Sequence, residues 1–236
     1  MPPSDPIRPA SSLRPAASLR LASSPCLACE DAAEAAQQAL DVARCRKAER
    51  ERLLGERRVL SAADHAALSA ALSQGLVRLV QSLFPAPGGL VLSGFWPIRG
   101  EPDLRPALAE LSALGMQIAL PVVATPRMPL VFRPWAPGAR MRRGHWSIPE
   151  PDTEATIWPQ IALAPLVGWT ADGYRLGYGG GYFDRTLADA TRRPLSIGIG
   201  LDSARLDTIF PQDHDVPLDL ILTETGPLDT RRSRGE

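Results

Sequence analysis

Apolar residues in this chain fall into two periodicities. Between about residues 62 and 83, Leu68, Leu72, Leu76, Leu79 and Leu83 recur at helical spacing. Ser61 followed by Asp64 resembles a capping box at the start of that helix. From there on, short apolar runs stand between turn residues: Leu90 to Phe95, Gln117 to Val123, Ile161 to Val167, Leu195 to Leu201 and Leu218 to Thr223. Such runs read as buried strands. Helical patterns at Leu104 to Leu114 and Tyr182 to Arg192 separate some of them. Alternating strands and helices predict an α/β fold, a single domain with a largely parallel central sheet flanked by helices.

Upstream, Arg44 to Val59 is highly charged and reads as another helix. Residues 1–43 differ from the rest. They are dominated by Pro, Ser, Ala and Arg, and read as a low-complexity, disordered tail with a helical patch from Asp31 to Ala43. The expected catalytic domain runs over 44–226, followed by a C-terminal tail at 227–236. The stretch from Pro126 to Pro159, rich in Pro, Arg and Trp, is expected to be a long loop or small hairpin flap over one end of the sheet.

Composition narrows the function classes. The 236 residues carry 26 Lys plus Arg against 26 Asp plus Glu. This balance argues against chain-wide attraction to nucleic acid or an anionic membrane. No apolar run approaches the roughly 20 residues that span a bilayer, and the N-terminus lacks a secretory core segment. A cytoplasmic location is expected. Cys26, Cys29 and Cys45 are too few and too irregular for a disulfide framework. No histidine stands near the CxxC to complete a zinc site. His65, His145 and His214 are scattered and read as structural.

The richest chemistry lies in Arg175-Leu176-Gly177-Tyr178-Gly179-Gly180-Gly181-Tyr182-Phe183-Asp184-Arg185. It follows a predicted strand and opens into a helix. Glycines let main-chain amides approach a ligand, and successive free amides form an anion-binding concavity. A Walker A loop would need Gly-Lys-Ser/Thr, and the dinucleotide fingerprint would need a glycine where Tyr182 stands. Neither fits, yet phosphate remains the implied ligand. Arg175 can pair with phosphate through its planar fork. Asp184 stands where a carboxylate can hold Mg2+ near that phosphate, or serve as an ordinary first-turn acid.

This segment resembles the signature of the 5-formyltetrahydrofolate cyclo-ligase family, RLGxGxGYYDR, with Phe183 replacing the second tyrosine. Other pieces match in order: Lys47-Ala48-Glu49-Arg50 with Arg57 downstream, Phe95-Trp96-Pro97 then Glu101, Leu120 to Val123, Met128 to Trp135, Ile148 to Pro151, and Asp219 to Glu224. The resemblance covers about Cys45 to Glu224. It implies a Mg-ATP-dependent enzyme that phosphorylates the formyl oxygen of 5-formyltetrahydrofolate and closes the methenyl ring.

By resemblance, Lys47, Arg50 and Arg57 would meet the ATP phosphates, together with Arg175, Gly177, Gly179, Gly180, Gly181, Tyr182 and Phe183. Trp96, Glu101, Tyr178 and Tyr182 would contact the folate. Asp184 and Asp219 would hold Mg2+. Arg175 and Asp184 would carry the catalysis. The bland alternatives are a solvated charged helix face for Lys47, Arg50 and Arg57, a surface acid for Glu101, a core residue for Trp96 and a strand-end cap for Asp219.

Three departures stand out. Glu49 occupies a position usually apolar in the family. Gly168-Trp169-Thr170 lacks the usual Asp. Gly180 stands where some members have Lys. Glu49 and Thr170 motivate a second reading, a diverged member acting on another formamide or carboxylate. A third is a folate- or nucleotide-binding module without turnover. The implied partner is a reduced folate, with no nucleic acid and no membrane.

Overall fold

The computed structural model describes residues 27–189 and 192–235, with side chains in the first helix from residue 34 onward. Two units make up the chain, 1–39 and 40–236. The described part of the first is helical. Most of the expected disordered tail, and the Cys26–Cys29 pair, lie outside the described residues or side chains.

Helix α1 (Leu27–Arg58) is continuous, so it starts well before the expected Arg44. Ala, Glu and Gln fill its first half, residues that lose little freedom in a helix. Helix α2 (Ala62–Leu83) begins at the expected cap: Ser61 Oγ accepts from the Asp64 amide at 3.1 Å and donates to its carboxylate at 2.7 Å. Its buried stripe is Leu72, Leu76, Val77 and Val80, rotated slightly from the leucine row, so that Leu83 is exposed.

The remaining elements follow in order: β1 (Val91–Ser93), α3 (Arg105–Ala113), β2 (Gln117–Val122), β3 (Val131–Trp135), β4 (Met141–Arg143), β5 (Pro149–Pro151), β6 (Ile161–Pro165), β7 (Gly168–Trp169), β8 (Arg175–Leu176), α4 (Tyr182–Leu187), β9 (Leu195–Ile199), β10 (Leu220–Thr223), β11 (Gly226–Asp229) and α5 (Arg231–Arg234). Seven strands form one sheet in the order β11-β10-β9-β6-β1-β2-β3. The five inner strands are parallel, and β3 and β11 close the edges antiparallel. The fold is therefore α/β with a mostly parallel sheet.

Three local expectations are corrected. Residues 126–159 are not all loop or flap, since β3 joins the main sheet and only the β4–β5 hairpin stands apart. The supposed C-terminal tail begins with an edge strand, because Gly226 allows the reversal that pairs β11 with β10 (φ +131°). Helix α4 ends at Leu187 rather than Arg192.

Strand order reverses direction at β1 and β6. From β1 the chain passes outward to β2, and from β6 it passes the other way to β9. The connections leaving their carboxyl ends therefore diverge and leave a crevice, the usual ligand position in open α/β sheets. Among the described residues no helix is long and apolar enough to cross a membrane.

Candidate functional site

A cleft of about 260 Å³ opens at this crevice. Phe95, Trp96 and Glu101 reach it from the loop after β1, Leu120 and Pro121 from β2, and Pro165 from the end of β6. The stretch from Arg175 to Asp184 crosses its floor, and Trp146, Ile148 and Pro149 overhang it from the β4–β5 hairpin.

The glycine loop takes the path its composition dictates. Gly179 and Gly181 have φ of +91° and +62°, in the region costly to any residue with a Cβ. Gly180 is required by crowding instead, since a Cβ there would come within 2.8 Å of the Tyr182 ring and 3.3 Å of Trp146. Helix α4 has only six residues. Any anion here would thus be held by loop amides and arginines more than by a helix dipole.

Three guanidinium groups line the cleft. Helix α1 presents Val42, Arg46, Arg50, Leu53 and Arg57 inward at spacings of four and three residues. Arg46 forks onto Asp215 (Nη2–Oδ2 2.5 Å) and the carbonyls of Ile209 and Phe210. Arg50 donates from Nε to Gly177 O at 2.6 Å and pairs with no carboxylate among the described residues. Burial and neighbouring Arg46 lower its pKa, a sign of uncompensated positive charge. Arg175, its side chain 6% exposed, donates to Asp184 Oδ1 and Val216 O, both at 2.7 Å. Burial lowers its pKa, and Asp184 opposes that shift.

Lys47 is not among them. Its side chain is 73% exposed and lies 3.9 Å from Glu51 on the solvent side of α1. One residue is 100° of helix, and Arg46 takes the inward position instead. Arg57 is buried but lines no wall of the cleft.

Glu101, also in the cleft lining, is 4% exposed. Its carboxylate accepts from the Ile98 amide at 2.9 Å. Burial pushes its pKa up to about 7, against the opposing pull of that amide, Arg57, Tyr178 and Arg99. The buried Tyr178 hydroxyl has no partner in hydrogen-bond geometry, and burial followed by the Glu101 charge raises its pKa. Trp96 presents a ring face to Arg105, whose guanidinium carbon is 4.9 Å from the ring centroid.

Two acids behave differently from each other. Asp184 lies in the cleft, and its Oδ1 accepts from Arg175 and the Val216 amide, bonds in which Oδ2 takes no part. Asp219 is outside it. Oδ2 of Asp219 accepts from the Ser196 amide and hydroxyl at 2.8 and 2.7 Å, tying the amino ends of β9 and β10. These bonds fit the strand-end role, and Asp219 does not line the cleft with Asp184. Among the described residues no group of three His, Cys, Asp or Glu side chains is placed to hold a metal. Besides Glu101, the cleft is lined by the carboxylates of Asp184 and Asp215, a donor set suited to Mg2+ that phosphate oxygens and water would complete.

Two of the three sequence departures, Glu49 and Thr170, lie outside the cleft lining, and Gly180 lies within it. Glu49 pairs with Arg52 at 2.7 Å on the outer side of α1. Thr170 is buried in the β7–β8 turn, where its hydroxyl bonds the Asp172 carboxylate and accepts from the Tyr174 amide at 3.2 Å. It orders the turn in place of the missing Asp. Opposite Gly180, Arg185 bonds the Gly180 carbonyl at 2.6 Å and lies over the Tyr182 ring.

Sequence reasoning missed Arg46 and Asp215 and undervalued the hairpin tip. Trp146 and Ser147 both hold positive φ (54° and 59°), a costly geometry for such residues. Trp146 packs edge-on to Tyr182 with centroids 6.0 Å apart. The adjacent Pro-, Arg- and Trp-rich composition was the available signal.

Comparison with known proteins points one way. The model of the 5-formyltetrahydrofolate cyclo-ligase family matches residues 42–224. A 5-formyltetrahydrofolate cyclo-ligase of Mycolicibacterium smegmatis is 30% identical over 149 residues, covering 57% of this chain and 76% of that protein. The Escherichia coli K12 protein of the same name is 27% identical over 136 residues, 55% of this chain and 75% of that one. Among solved structures, the Aquifex aeolicus 5,10-methenyltetrahydrofolate synthetase aligns with a TM-score of 0.63 at 26% identity, over 79% of this chain and 93% of that chain. The Mycoplasma pneumoniae 5,10-methenyltetrahydrofolate synthetase aligns at 0.60 and 27%, over 76% and 98%.

Proposed function

Because this chain belongs to the 5-formyltetrahydrofolate cyclo-ligase family, we propose that it converts 5-formyltetrahydrofolate to 5,10-methenyltetrahydrofolate at the expense of ATP, in the cytoplasm. The observation that carries this reading is the mixed lining of the cleft. Arg46, Arg50 and Arg175 gather with the glycine loop there, and a buried acid, Glu101, and Trp96 line the same cleft. The guanidinium groups suit a triphosphate. The acid and the ring suit the donor-rich edge and flat face of a pterin.

In this reading the formyl oxygen attacks the γ-phosphorus, an O–P bond forms and ADP leaves. The nitrogen at position 10 then attacks the activated carbon and loses its proton, and the C–O bond breaks to release phosphate. Little covalent work falls to the protein. Its contribution is alignment and charge neutralisation. Arg50, with no carboxylate to satisfy, is the cation freest to bind phosphate. Arg175 is held in place by Asp184 and Val216. Tyr178, Tyr182 and Phe183 wall the junction between nucleotide and folate. Mg2+, when bound, would shield phosphate charge, with Asp184 as the carboxylate that holds it. Asp219, outside the cleft lining and bonded to Ser196, is given the strand-end role instead.

The decisive assay incubates the protein with 5-formyltetrahydrofolate and Mg-ATP and follows methenyl absorbance and ADP together. Both should rise in equal amounts. Binding of both ligands without either product would favour a non-catalytic module. ATP binding without methenyl formation would favour another substrate, although the positions of Glu49 and Thr170 remove the original reason for expecting one.

A second expectation separates the helix cations. Arg50→Ala should raise the ATP KM by about tenfold or more, as loss of a hydrogen bond to a charged group does. Lys47→Ala should leave both KM values and stability nearly unchanged, as exposed substitutions usually do within about 0.5 kcal/mol. A large Lys47 effect on ATP would overturn the assignment of Arg50 and Arg46 to the phosphates.

A further inference from the structure

Arg57 is unaccounted for by the cleft. It is 5% exposed on the inward stripe of α1. Nη2 donates to the Leu166 carbonyl at 2.5 Å, immediately beyond β6. Its aliphatic stem packs beneath Gly100, where an added Cβ would meet Arg57 Cγ at 3.3 Å. Gly100 adopts φ +76°, so the turn at 98–101 is shaped both by that contact and by a backbone only glycine takes easily. This one side chain therefore joins the loop after β1 to the loop after β6, the two lips of the crevice.

The other end of the guanidinium matters more. Nη1 is buried and has no hydrogen-bond partner. A buried unpaired donor on a charged group is costly, and an apolar residue of the same length would avoid the cost. What the charge does is act on Glu101 and Tyr178, opposing the upward pKa shift that burial causes in each. The groups around Glu101 come from four directions. Arg57 approaches from α1, Arg99 from its own turn and Tyr178 from the glycine loop, while His65 of α2 contacts the Gly100 and Glu101 carbonyls at 3.2 and 3.0 Å.

We propose that Arg57 is a positioning residue for Glu101: it pins the 98–101 turn to Leu166 and supplies the buried positive charge that acts on the Glu101 carboxylate. It therefore serves the folate-binding acid and not the phosphates. This rests on Glu101 as the pterin-binding acid. A pterin edge offers N–H donors, and an ionised carboxylate meets them with acceptors alone, whereas a protonated one turns one oxygen into a donor.

The test uses the full chain with Arg57→Met, which keeps the stem, and Arg57→Lys, which keeps the charge. Arg57→Met should raise the folate KM about tenfold or more while the ATP KM stays near wild type. Removing the cation leaves burial less opposed, so Glu101 should protonate at higher pH. The acid limb of kcat/KM for folate should move upward in pH accordingly, and Arg57→Lys should recover part of both effects. Melting of Arg57→Met, Glu101→Gln and the double variant should be non-additive, a readout that needs no turnover. If the wild type fails to turn over folate, the proposed function falls while this cycle still reports on the pair.

An ATP KM raised as much as the folate KM would overturn the inference in favour of a phosphate role. Lowered melting temperature with unchanged KM values, pH limb and additive melting would overturn it in favour of packing alone. If the Met variant does not accumulate folded, the Lys variant decides by the same comparison of KM values and pH limb.

Discussion

Asp184→Ala should abolish ring closure and also cost the fold about 3–5 kcal/mol, the usual penalty for stranding one member of a buried ion pair. The second effect follows from Arg175, which is almost wholly buried and has Asp184 as its carboxylate partner at 2.7 Å. Without that carboxylate the guanidinium keeps the Val216 carbonyl as its hydrogen-bond partner, with only the more distant Asp215 charge and the Phe183 ring beside it. A loss of that size is a large share of the roughly 5–15 kcal/mol that holds a domain folded. Reading Asp184 as a metal ligand alone would predict an inactive protein of normal stability. Chemical denaturation alongside turnover separates the two. Adding Arg175→Met to Asp184→Ala should restore much of the stability, because the orphaned charge is gone, but none of the activity. An unchanged denaturation midpoint in the single variant would disprove the pairing, and a near-normal rate would disprove the site.

Glu101→Gln should weaken folate binding by about tenfold to a hundredfold through loss of charged hydrogen bonds, leave ATP binding alone, and stabilise the protein at alkaline pH. Burial raises the folded pKa of Glu101 from the ordinary 4.5 to about 7. The folded state then holds a proton that the unfolded chain has released. The associated stability is fully present below about 4.5 and is lost as pH rises through 7, a change on the order of 3 kcal/mol. Glutamine does not ionise, so the variant should match wild type near pH 5 and exceed it near pH 8. Urea denaturation at the two pH values checks this. A pH-independent difference would show that Glu101 is not buried as a titrating acid. In the wild type, folate kcat/KM should also fall as pH drops through the same region, since a protonated carboxyl loses acceptors.

The two variants show why this site is demanding to assemble. Arg175 and Glu101 are ionisable groups taken almost out of water in one crevice. Neither placement favours stability by itself. Each is compensated locally, the first by Asp184 and the second by Ile98 N–H and nearby cations.

Much of this was legible in the residue order. Buried parallel strands have apolar runs, and all five inner strands fall within the runs that stand between turn residues. The Ser61–Asp64 cap is a local interaction, so local sequence reveals it. The glycine loop is legible for the same reason: positive φ at Gly179 and Gly181, and crowding at Gly180, involve near neighbours. Strands β3 and β11 were missed because edge strands bury fewer side chains and tolerate Pro134 and Pro227, which blur the pattern.

By itself, then, the amino-acid sequence determined the α/β architecture, the glycine loop with Arg175 and Asp184, and the family. Only the tertiary structure decided which charges face the cleft. Helix α1 is polar around most of its surface, so no broad apolar stripe sets its rotation in advance. Val42 and Leu53 set it on packing, which turns Arg46 and Arg50 inward, buries Arg57 behind Glu101 and leaves Lys47 in solvent. The same holds for Asp219. A carboxylate beside a strand reads alike at either end of the sheet, and the pairing of β9 with β10 is what puts it on Ser196 at the amino end.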